Sequence, residues 1–479
     1  MSSIAEIKFG TDGWRGVISR DFTFENVRWV TQAVIDYLKL KGLDSSGLVV
    51  GYDRRFLSEE YAGEVAAVAA ANGVRVFLGD NFAPTPAVSW AVKERGSGGG
   101  IMITASHNPA IYNGLKFKES FGGSSLPETT AVLEKLLRER WRRKEEPLFE
   151  NFDKALKDKM IVRVDLMKSY LDRLRGLVDF EKIRNSGFKV AVDSMSGAGS
   201  GCIKTLLNEV GVEVKEIRSE YNPGFGGVNP EPIAKNMKRL ISIVRDEKYD
   251  VGLATDGDAD RIGAVDGRGD FFDSHRILTL LIKHLVEERK VKGDIVKTVS
   301  STRMIDLLGK RYGVTVHETP IGFKHICKKM LEGGIMIGGE ESGGIGVSAH
   351  IPERDGIFAG LLLVEIMAVN GMRLEEVMDE VFKRIGSFSY DRVDLKISED
   401  SMNEVRARLD DYHPSAILGM KVELENRMDG AKFCLENGSW LLVRASGTEP
   451  VLRIYAEASS PQKVRELLEE GKRSVGLKQ

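Results

Sequence analysis

A strand–helix–strand plan recurs along this chain, and it restricts the fold more than any other feature. "LVVGYD" (48–53) is a short apolar run. "SEEYAGEVAAVAAANG" (58–73) carries apolar residues at helical spacing and stops at Asn-Gly, and "VRVFLGD" (74–80) is the next apolar run. Apolar strands joined through a helix form a parallel crossover unit, because parallel neighbours cannot be joined by a tight turn. The plan returns in "FKVAVDSMSGAGSGCIKTLLNEVG" (188–211) followed by "VEVKEI", and in "DIVKTVSSTRMIDLLGKRYG" (294–313) followed by "VTVHET". After each unit a further strand runs into a polar loop: "IMITASHNP" (101–109), "VGLATDGDADR" (251–261) and "GIMIGGEESGG" (334–344). Open parallel sheets bind ligands beyond the carboxyl ends of their strands, so each loop is a candidate for chemistry.

Past "RLEEVMDEVFKRIGS" (373–387) the pattern changes. "YDRVDLKI" alternates as a strand, "WLLVRASGTEPVLRIYAEAS" (440–459) reads as two strands around a polar loop, and a helix starts near Pro461. The expected fold is three similar α/β domains with mainly parallel mixed sheets, plus a smaller C-terminal α+β domain. Charged, weakly patterned sequence at 141–160 and the turn-rich "VDGRGDFFD" (265–273) suggest boundaries that give domains 1–155, 156–268, 269–385 and 386–479.

Composition narrows the partners. Lys and Arg number 69 against 71 Asp and Glu, so neither nucleic acid nor an anionic membrane surface is expected as a partner. The basic run "RERWRRKEE" (138–146) is interrupted by glutamates and reads as a solvated helix end. No run of about 18 apolar residues predicts a membrane span, and "MSSIAEIKFG" lacks the pattern of a signal peptide. Cys202, Cys327 and Cys434 are isolated, which speaks against a disulfide framework or a cysteine zinc site and fits a cytoplasmic, reducing setting. Three glutamines among abundant Lys, Arg and Glu lean towards a thermophilic source.

Four loops carry the chemistry. In "GGGIMITASHNP" (98–109), Ser106 stands at the mouth of a buried strand, one residue before His107, where it is either a turn-former or a nucleophile. In "DGDADR" (256–261), Asp256, Asp258 and Asp260 offer three hard carboxylates that repel unless a cation intervenes, which suits Mg²⁺ or Ca²⁺, although a structural calcium loop or a solvated acidic turn would look the same. An EF-hand loop would need glycine and glutamate where Arg261 and Gly267 stand. In "GGEESGG" (338–344), Glu340 and Ser342 suit sugar hydroxyls, although a polar glycine-rich turn would look the same. In "RASGTEP" (444–450), Arg444, Ser446, Gly447 and Thr448 make a phosphate cradle or a capped hairpin. Arg15 in "FGTDGWRG", placed before the first strand unit, Lys116 in "YNGLKF", Lys324 in "TPIGFKHI" and Arg261 supply positive charge. A phosphorylated serine, a sugar phosphate and three aspartates need about that much positive charge, and phosphoryl transfer is mostly positioning plus charge stabilisation.

From "FGTDGWRG" to "RASGTEP", nearly end to end, the chain resembles the α-D-phosphohexomutases, the phosphoglucomutase/phosphomannomutase group. The pairing of "TASHNP" with "DGDADR" carries most of the likeness. The resemblance implies four domains around a central cleft and a phosphohexomutase that interconverts hexose 1-phosphate and hexose 6-phosphate (glucose, mannose or both). Ser106 would be the phosphoserine, passing its phosphoryl group through a hexose 1,6-bisphosphate. Asp256, Asp258 and Asp260 would hold Mg²⁺ together with a phosphoserine oxygen at Ser106. Glu340 and Ser342 would read sugar hydroxyls, and Arg444, Ser446, Gly447 and Thr448 would hold the phosphate that is not reacting. Arg15, His107, Lys116, Arg261 and Lys324 would surround the transferring group, with Lys116 or His107 moving the proton. Glucose 1,6-bisphosphate would act as activator. One departure bears on the substrate. Some branches, phosphomannomutases and phosphoglucosamine mutases among them, carry histidine after the "SG" of the sugar loop, where this chain has Gly344. That makes glucosamine phosphate a less favoured alternative. A metal-dependent sugar phosphatase and a non-catalytic sugar-phosphate sensor are rivals from other classes. The first has no need of a second phosphate site, and the second has no need of nucleophile and metal ligands.

Overall fold

The computed structural model describes residues 7–10, 12–445 and 451–476, with backbone alone at 399 and 400. The chain divides into two compact units, Met1–Asp294 with Gly322–Met378, and Ile295–Ile321 with Asp379–Gln479.

The first sheet contains β1 (Trp14–Val17), β2 (Leu48–Tyr52), β3 (Val76–Gly79), β4 (Gly99–Ile103), β5 (Tyr112–Glu119) and β6 (Ile161–Val164), in the order β1-β5-β4-β2-β3-β6. β2 runs parallel to β3 and β4, and β3 parallel to β6, with the helices Ser58–Ala71 and Thr85–Arg95 as crossovers. Both β2 and β4 are buried along their whole length, as parallel strands covered on two faces must be. A Cβ at Gly100 would stand 2.6 Å from Val92, so the glycine lets the second crossover helix pack close. After β4 the chain reverses into β5, antiparallel to it, and β1 pairs antiparallel with β5 at the edge. Arg15, expected ahead of the first strand, therefore sits on an edge strand of this sheet.

The same reversal recurs. β7 (Lys189–Asp193) runs parallel to β8 (Glu213–Ile217) and β9 (Val251–Thr255); β9 turns back as β10 (Ile262–Val265), which pairs with β11 (Phe271–Phe272). In the second unit β12 (Asp294–Thr298) is parallel to β13 (Val316–Thr319). In the first, β14 (Ile335–Gly339) turns back as β15 (Ile345–Val347). Each polar loop of the sequence thus caps a buried strand where it folds into a hairpin, at 104–111, 256–261 and 340–344.

One helix of the first unit, Gly356–Asn370, is apolar nearly all round and buried, as a central helix must be. Asp355 caps it through Phe358 N, and the same carboxylate accepts the Tyr170 hydroxyl at 2.8 Å. Its one charged residue, Glu365, is 2% exposed. Glu365 accepts from His284 Nε2, Arg289 Nε and the Asp179 amide, each at 2.8 Å, tying three segments to one carboxylate. Burial alone would raise this carboxyl; the hydrogen bonds from His284 and Arg289 outweigh it and bring it down to about 2.

The remainder of the second unit is a six-stranded antiparallel sheet, β16 (Ser389–Lys396), β17 (Ala416–Ile417), β18 (Met420–Asn426), β19 (Ala431–Leu435), β20 (Trp440–Ala445) and β21 (Val451–Ala458), in the order β16-β21-β20-β19-β18-β17. The helix Pro461–Ser474 places Val464, Leu467 and Leu468 in a core with Leu441, Val443 and Ile454. Among the described residues, no single helix is long and apolar enough to cross a membrane.

Candidate active site

Ser106 adopts φ +52°, in the left-handed region that side chains other than glycine enter at a cost of roughly 1–2 kcal/mol. Three contacts hold it there. Its amide donates to Thr104 Oγ1 at 2.9 Å, its carbonyl accepts from Arg55 Nη2 at 2.6 Å, and its hydroxyl donates to Asp256 Oδ2 at 2.7 Å. The residue is 1% exposed. Ser106 therefore sits in a turn, closed by the Asn108 amide on the Ala105 carbonyl at 3.0 Å, with its side chain and backbone both held.

Asp256, Asp258 and Asp260 are each fully buried, and one oxygen from each lies within 4.8 Å of the others. Asp258 Oδ2 accepts from Lys116 Nζ and from Thr85 Oγ1, and Asp260 Oδ2 accepts from Lys116 Nζ. The Oδ1 atoms of Asp258 and Asp260 are buried without a hydrogen-bond partner. Burial, then the neighbouring Asp258 and Asp260, push the Asp256 carboxyl well above the ordinary carboxylate range. Three carboxylates so placed, two with orphaned oxygens, fit a hard divalent cation.

The Lys116 ammonium reaches Asp12 Oδ2 at 2.6 Å and Asp258 and Asp260 Oδ2 at 2.8 Å. Burial would lower its pKa, but the three carboxylates raise it well above the usual lysine value, so it stays charged. His107 behaves oppositely. Burial, then the charges of Arg261, Arg15, Arg55 and Lys116, push it well below the ordinary histidine range, leaving a neutral ring with Nδ1 3.4 Å from Ser106 Oγ. Arg15 donates from Nη1 to Asn108 Oδ1 at 2.6 Å, inside the Ser106 loop. The Arg261 amide donates to Asp256 Oδ1 at 3.1 Å, and its guanidinium Nε, 3.9 Å from Asp260 Oδ1, has no hydrogen-bond partner. Arg15 thus reaches the Ser106 loop through Asn108, Lys116 and Arg261 lie against the aspartates, and of these four side chains the His107 ring lies nearest the serine hydroxyl.

Glu340, 7% exposed, accepts from the Gly322 amide at 3.1 Å, and burial raises its carboxyl. Its other oxygen lies 3.8 Å from Arg354 Nη1. Ser342 Oγ is buried without a partner. Lys324, in the first turn of the helix Phe323–Leu331, is half-buried and forms no ion pair among the described residues. Arg444 belongs to the other unit, on β20, where its Nε donates to Asp429 Oδ1 at 2.7 Å. Ser446, Gly447 and Thr448 lie outside the described residues.

The sequence reading missed the groups behind these. Arg354 donates to Asp12 and pairs with Asp260 at 2.8 Å, joining the sugar loop to the metal loop. Its side chain also fills the space beside Gly344, where a Cβ would stand 2.3 Å from Arg354 Cδ. Lys118 pairs with Glu353 at 2.6 Å and Asp12 at 3.5 Å. Asp12 stood in the quoted "FGTDGWRG", but with no partner in sight it gave no signal. Arg354, in "PERDG", and Arg55, in "GYDRRF", stand in no motif that the sequence singles out.

Four family models cover most of the chain. Phosphoglucomutase/phosphomannomutase alpha/beta/alpha domains I, II and III match residues 6–143, 168–269 and 273–385, and the C-terminal domain matches residues 398–473. A phosphoglucomutase/phosphomannomutase of Thermococcus kodakarensis is 33% identical over 465 residues, 97% of both chains. A phosphoglucosamine/phosphogalactosamine mutase of Sulfurisphaera tokodaii is 31% identical over 98% of both. The crystal structure of a candidate phosphomannomutase from Thermus thermophilus superposes with a TM-score of 0.85 at 38% identity, covering 99% of this chain and 100% of that one. With all four domains matched in family order and full-length relatives above 30% identity, the chain belongs to the phosphoglucomutase/phosphomannomutase family, the α-D-phosphohexomutases.

Proposed function

We propose that this chain interconverts hexose 1-phosphate and hexose 6-phosphate, with glucose or mannose as the sugar, through phosphorylated Ser106 and a hexose 1,6-bisphosphate. The observation that carries this is Ser106 Oγ, held in a strained conformation at 2.7 Å from Asp256 Oδ2 of a buried carboxylate cluster. In this reading the bond between phosphorus and Ser106 Oγ breaks as one forms to a sugar hydroxyl. His107 is neutral and takes the proton of the sugar hydroxyl, Ser106 Oγ leaves and takes a proton back from His107, whose Nδ1 lies 3.4 Å away, and Lys116 stays charged and stabilises the bridging oxygen. Arg15, Arg261 and Lys324 hold the moving phosphoryl group. Glu340 and Ser342, each with unsatisfied capacity, take sugar hydroxyls. Arg444, with Ser446, Gly447 and Thr448, binds the phosphate that is not reacting, and the bisphosphate turns over before returning a phosphoryl group to Ser106. Asp256, Asp258 and Asp260, with the phosphoserine, would hold Mg²⁺, which supplies charge neutralisation at the phosphoryl oxygens. Glucose 1,6-bisphosphate serves as activator by phosphorylating Ser106.

The relatives named for glucose, mannose and glucosamine phosphates frame the test. Kinetics with glucose 1-phosphate, mannose 1-phosphate and glucosamine 1-phosphate, with free phosphate assayed alongside, should give isomer without hydrolysis and the weakest turnover on the amino sugar. Ser106→Ala should lose about 10³-fold or more in kcat, the scale of nucleophile removal. Near wild-type turnover in that variant, or no phosphate on the peptide around Ser106 after incubation with glucose 1,6-bisphosphate, would sink the proposal.

A further inference from the structure

The guanidinium of Arg55 is buried to 0% side-chain exposure under the Ser106 loop. Its Nη2 donates to the carbonyl oxygens of Ser106 at 2.6 Å and Asn108 at 2.7 Å, and its Nη1 to those of Pro109 and Tyr112, both at 3.0 Å. Its Nε lies 3.3 Å from Asp53 Oδ2, and the same carboxylate accepts the hydroxyls of Thr104 and Ser58 and the Arg55 amide. Burying a guanidinium is costly unless its donors are used, and here four hydrogen bonds go to backbone carbonyls within seven residues of chain. A core that merely filled space would use an apolar side chain.

The effect on Ser106 follows from peptide geometry. In a trans peptide the C=O and the next N–H point in opposite directions. With the Ser106 carbonyl drawn onto Arg55, the His107 N–H faces away from Arg55. The same carbonyl contact opposes relaxation of Ser106 out of its left-handed φ. We propose that Arg55 is a positioning residue for Ser106: it gathers the carbonyls of the 106–112 loop and so fixes the serine conformation that aims Oγ at Asp256. Lysine cannot replace it, since a single ammonium carries the charge but not the planar fork that spans four acceptors. The inference rests on Ser106 being the phosphoryl carrier.

The test uses full-length Arg55→Lys and Arg55→Ala proteins, with Ser106→Ala alongside, assayed on glucose 1-phosphate with saturating glucose 1,6-bisphosphate and Mg²⁺. A loop shift of about 1 Å is expected to lower kcat about 10²-fold while KM stays within about threefold. The ³¹P resonance of phosphorylated Ser106 should move or broaden in Arg55→Lys. Guanidinium chloride at tens of millimolar should restore part of the lost kcat in Arg55→Ala, where sodium chloride does not. If Arg55→Ala fails to fold, Arg55→Lys alone decides, through its kcat, its KM and its ³¹P line. A lowered Tm with wild-type kcat and an unmoved ³¹P line would reduce Arg55 to a brace and overturn the proposal. So would a fall in kcat matched by loss of folded protein, with no rescue. An inactive Ser106→Ala beside a fully active Arg55→Lys would refute this inference alone. An active Ser106→Ala would refute the phosphoserine itself.

Discussion

Glu365→Gln isolates the electrostatic knot in the central helix of the first unit. The substitution keeps volume and one acceptor oxygen but removes the charge that His284, Arg289 and the Asp179 amide share. Hydrogen bonds and charge bring the folded carboxyl down to about 2 from its ordinary 4.5, against the burial that would raise it. At about 1.4 kcal/mol per pKa unit, ionised Glu365 contributes about 3 kcal/mol to folding at neutral pH. The direction follows from which state binds the proton more tightly. The unfolded chain takes it up near pH 4.5, whereas the folded protein resists until about pH 2, so the contribution is complete above about pH 5 and drains away as pH falls through that window. About 1.4 kcal/mol should be gone by roughly pH 3.5. Urea unfolding followed by tryptophan fluorescence at several pH values would measure it. The gap between wild type and Glu365→Gln should be about 3 kcal/mol at pH 7 and should narrow steadily below pH 4.5. A gap that is absent at pH 7, or that does not change on acidification, would refute the assignment of Glu365 as an ion held by its neighbours.

Three further outcomes are expected. Excess EDTA should abolish mutase activity and Mg²⁺ should restore it best, since the triad offers only hard oxygens; full activity in metal-free protein would contradict the metal site. Arg444→Ala should lower kcat/KM by about 10- to 150-fold, the worth of a charge-assisted contact, raising KM and lowering kcat together; unchanged kcat/KM would make its loop a structural hairpin. In Gly257→Ala the new Cβ would stand 2.4 Å from the Ser106 carbonyl oxygen, so the serine loop must shift and kcat should fall about 10²-fold with little change in far-UV circular dichroism; wild-type kcat would show the loop to be pliant.

The three hairpin loops were legible because each follows a run of residues too apolar to be anywhere but inside. The chemistry of "TASHNP" and "DGDADR" then sits at a fixed offset from that run. The groups that hold the loops were not legible. Asp12, Arg55 and Arg354 act through partners 50 to more than 300 residues away, and a charged residue in a turn looks alike whether it ends in solvent or against a buried carboxylate. The expected strand 440–459 pair and "YDRVDLKI" match β20, β21 and β16, but β17, β18 and β19 carry no expectation. In β18, "MKVELEN", every residue is exposed or half-buried, so the apolar signal is missing, while β19, "AKFCL", is mostly buried but only five residues long. Arg15 was read as lying in a glycine-rich lead-in because β1 is only four residues long and alternates between buried and half-buried.

The close packing of Arg354 against Gly344 limits what residue 344 can become. A Gly344→His substitution made first would meet Arg354 Cδ at 2.3 Å, and the arginine could yield only by letting go of Asp12 and Asp260. A larger residue at 344 therefore calls for a smaller one at 354 first, and Asp12 and Asp260 would keep Lys116, at 2.6 and 2.8 Å, as their cation. Two positions that look independent in the sequence are coupled through one side chain.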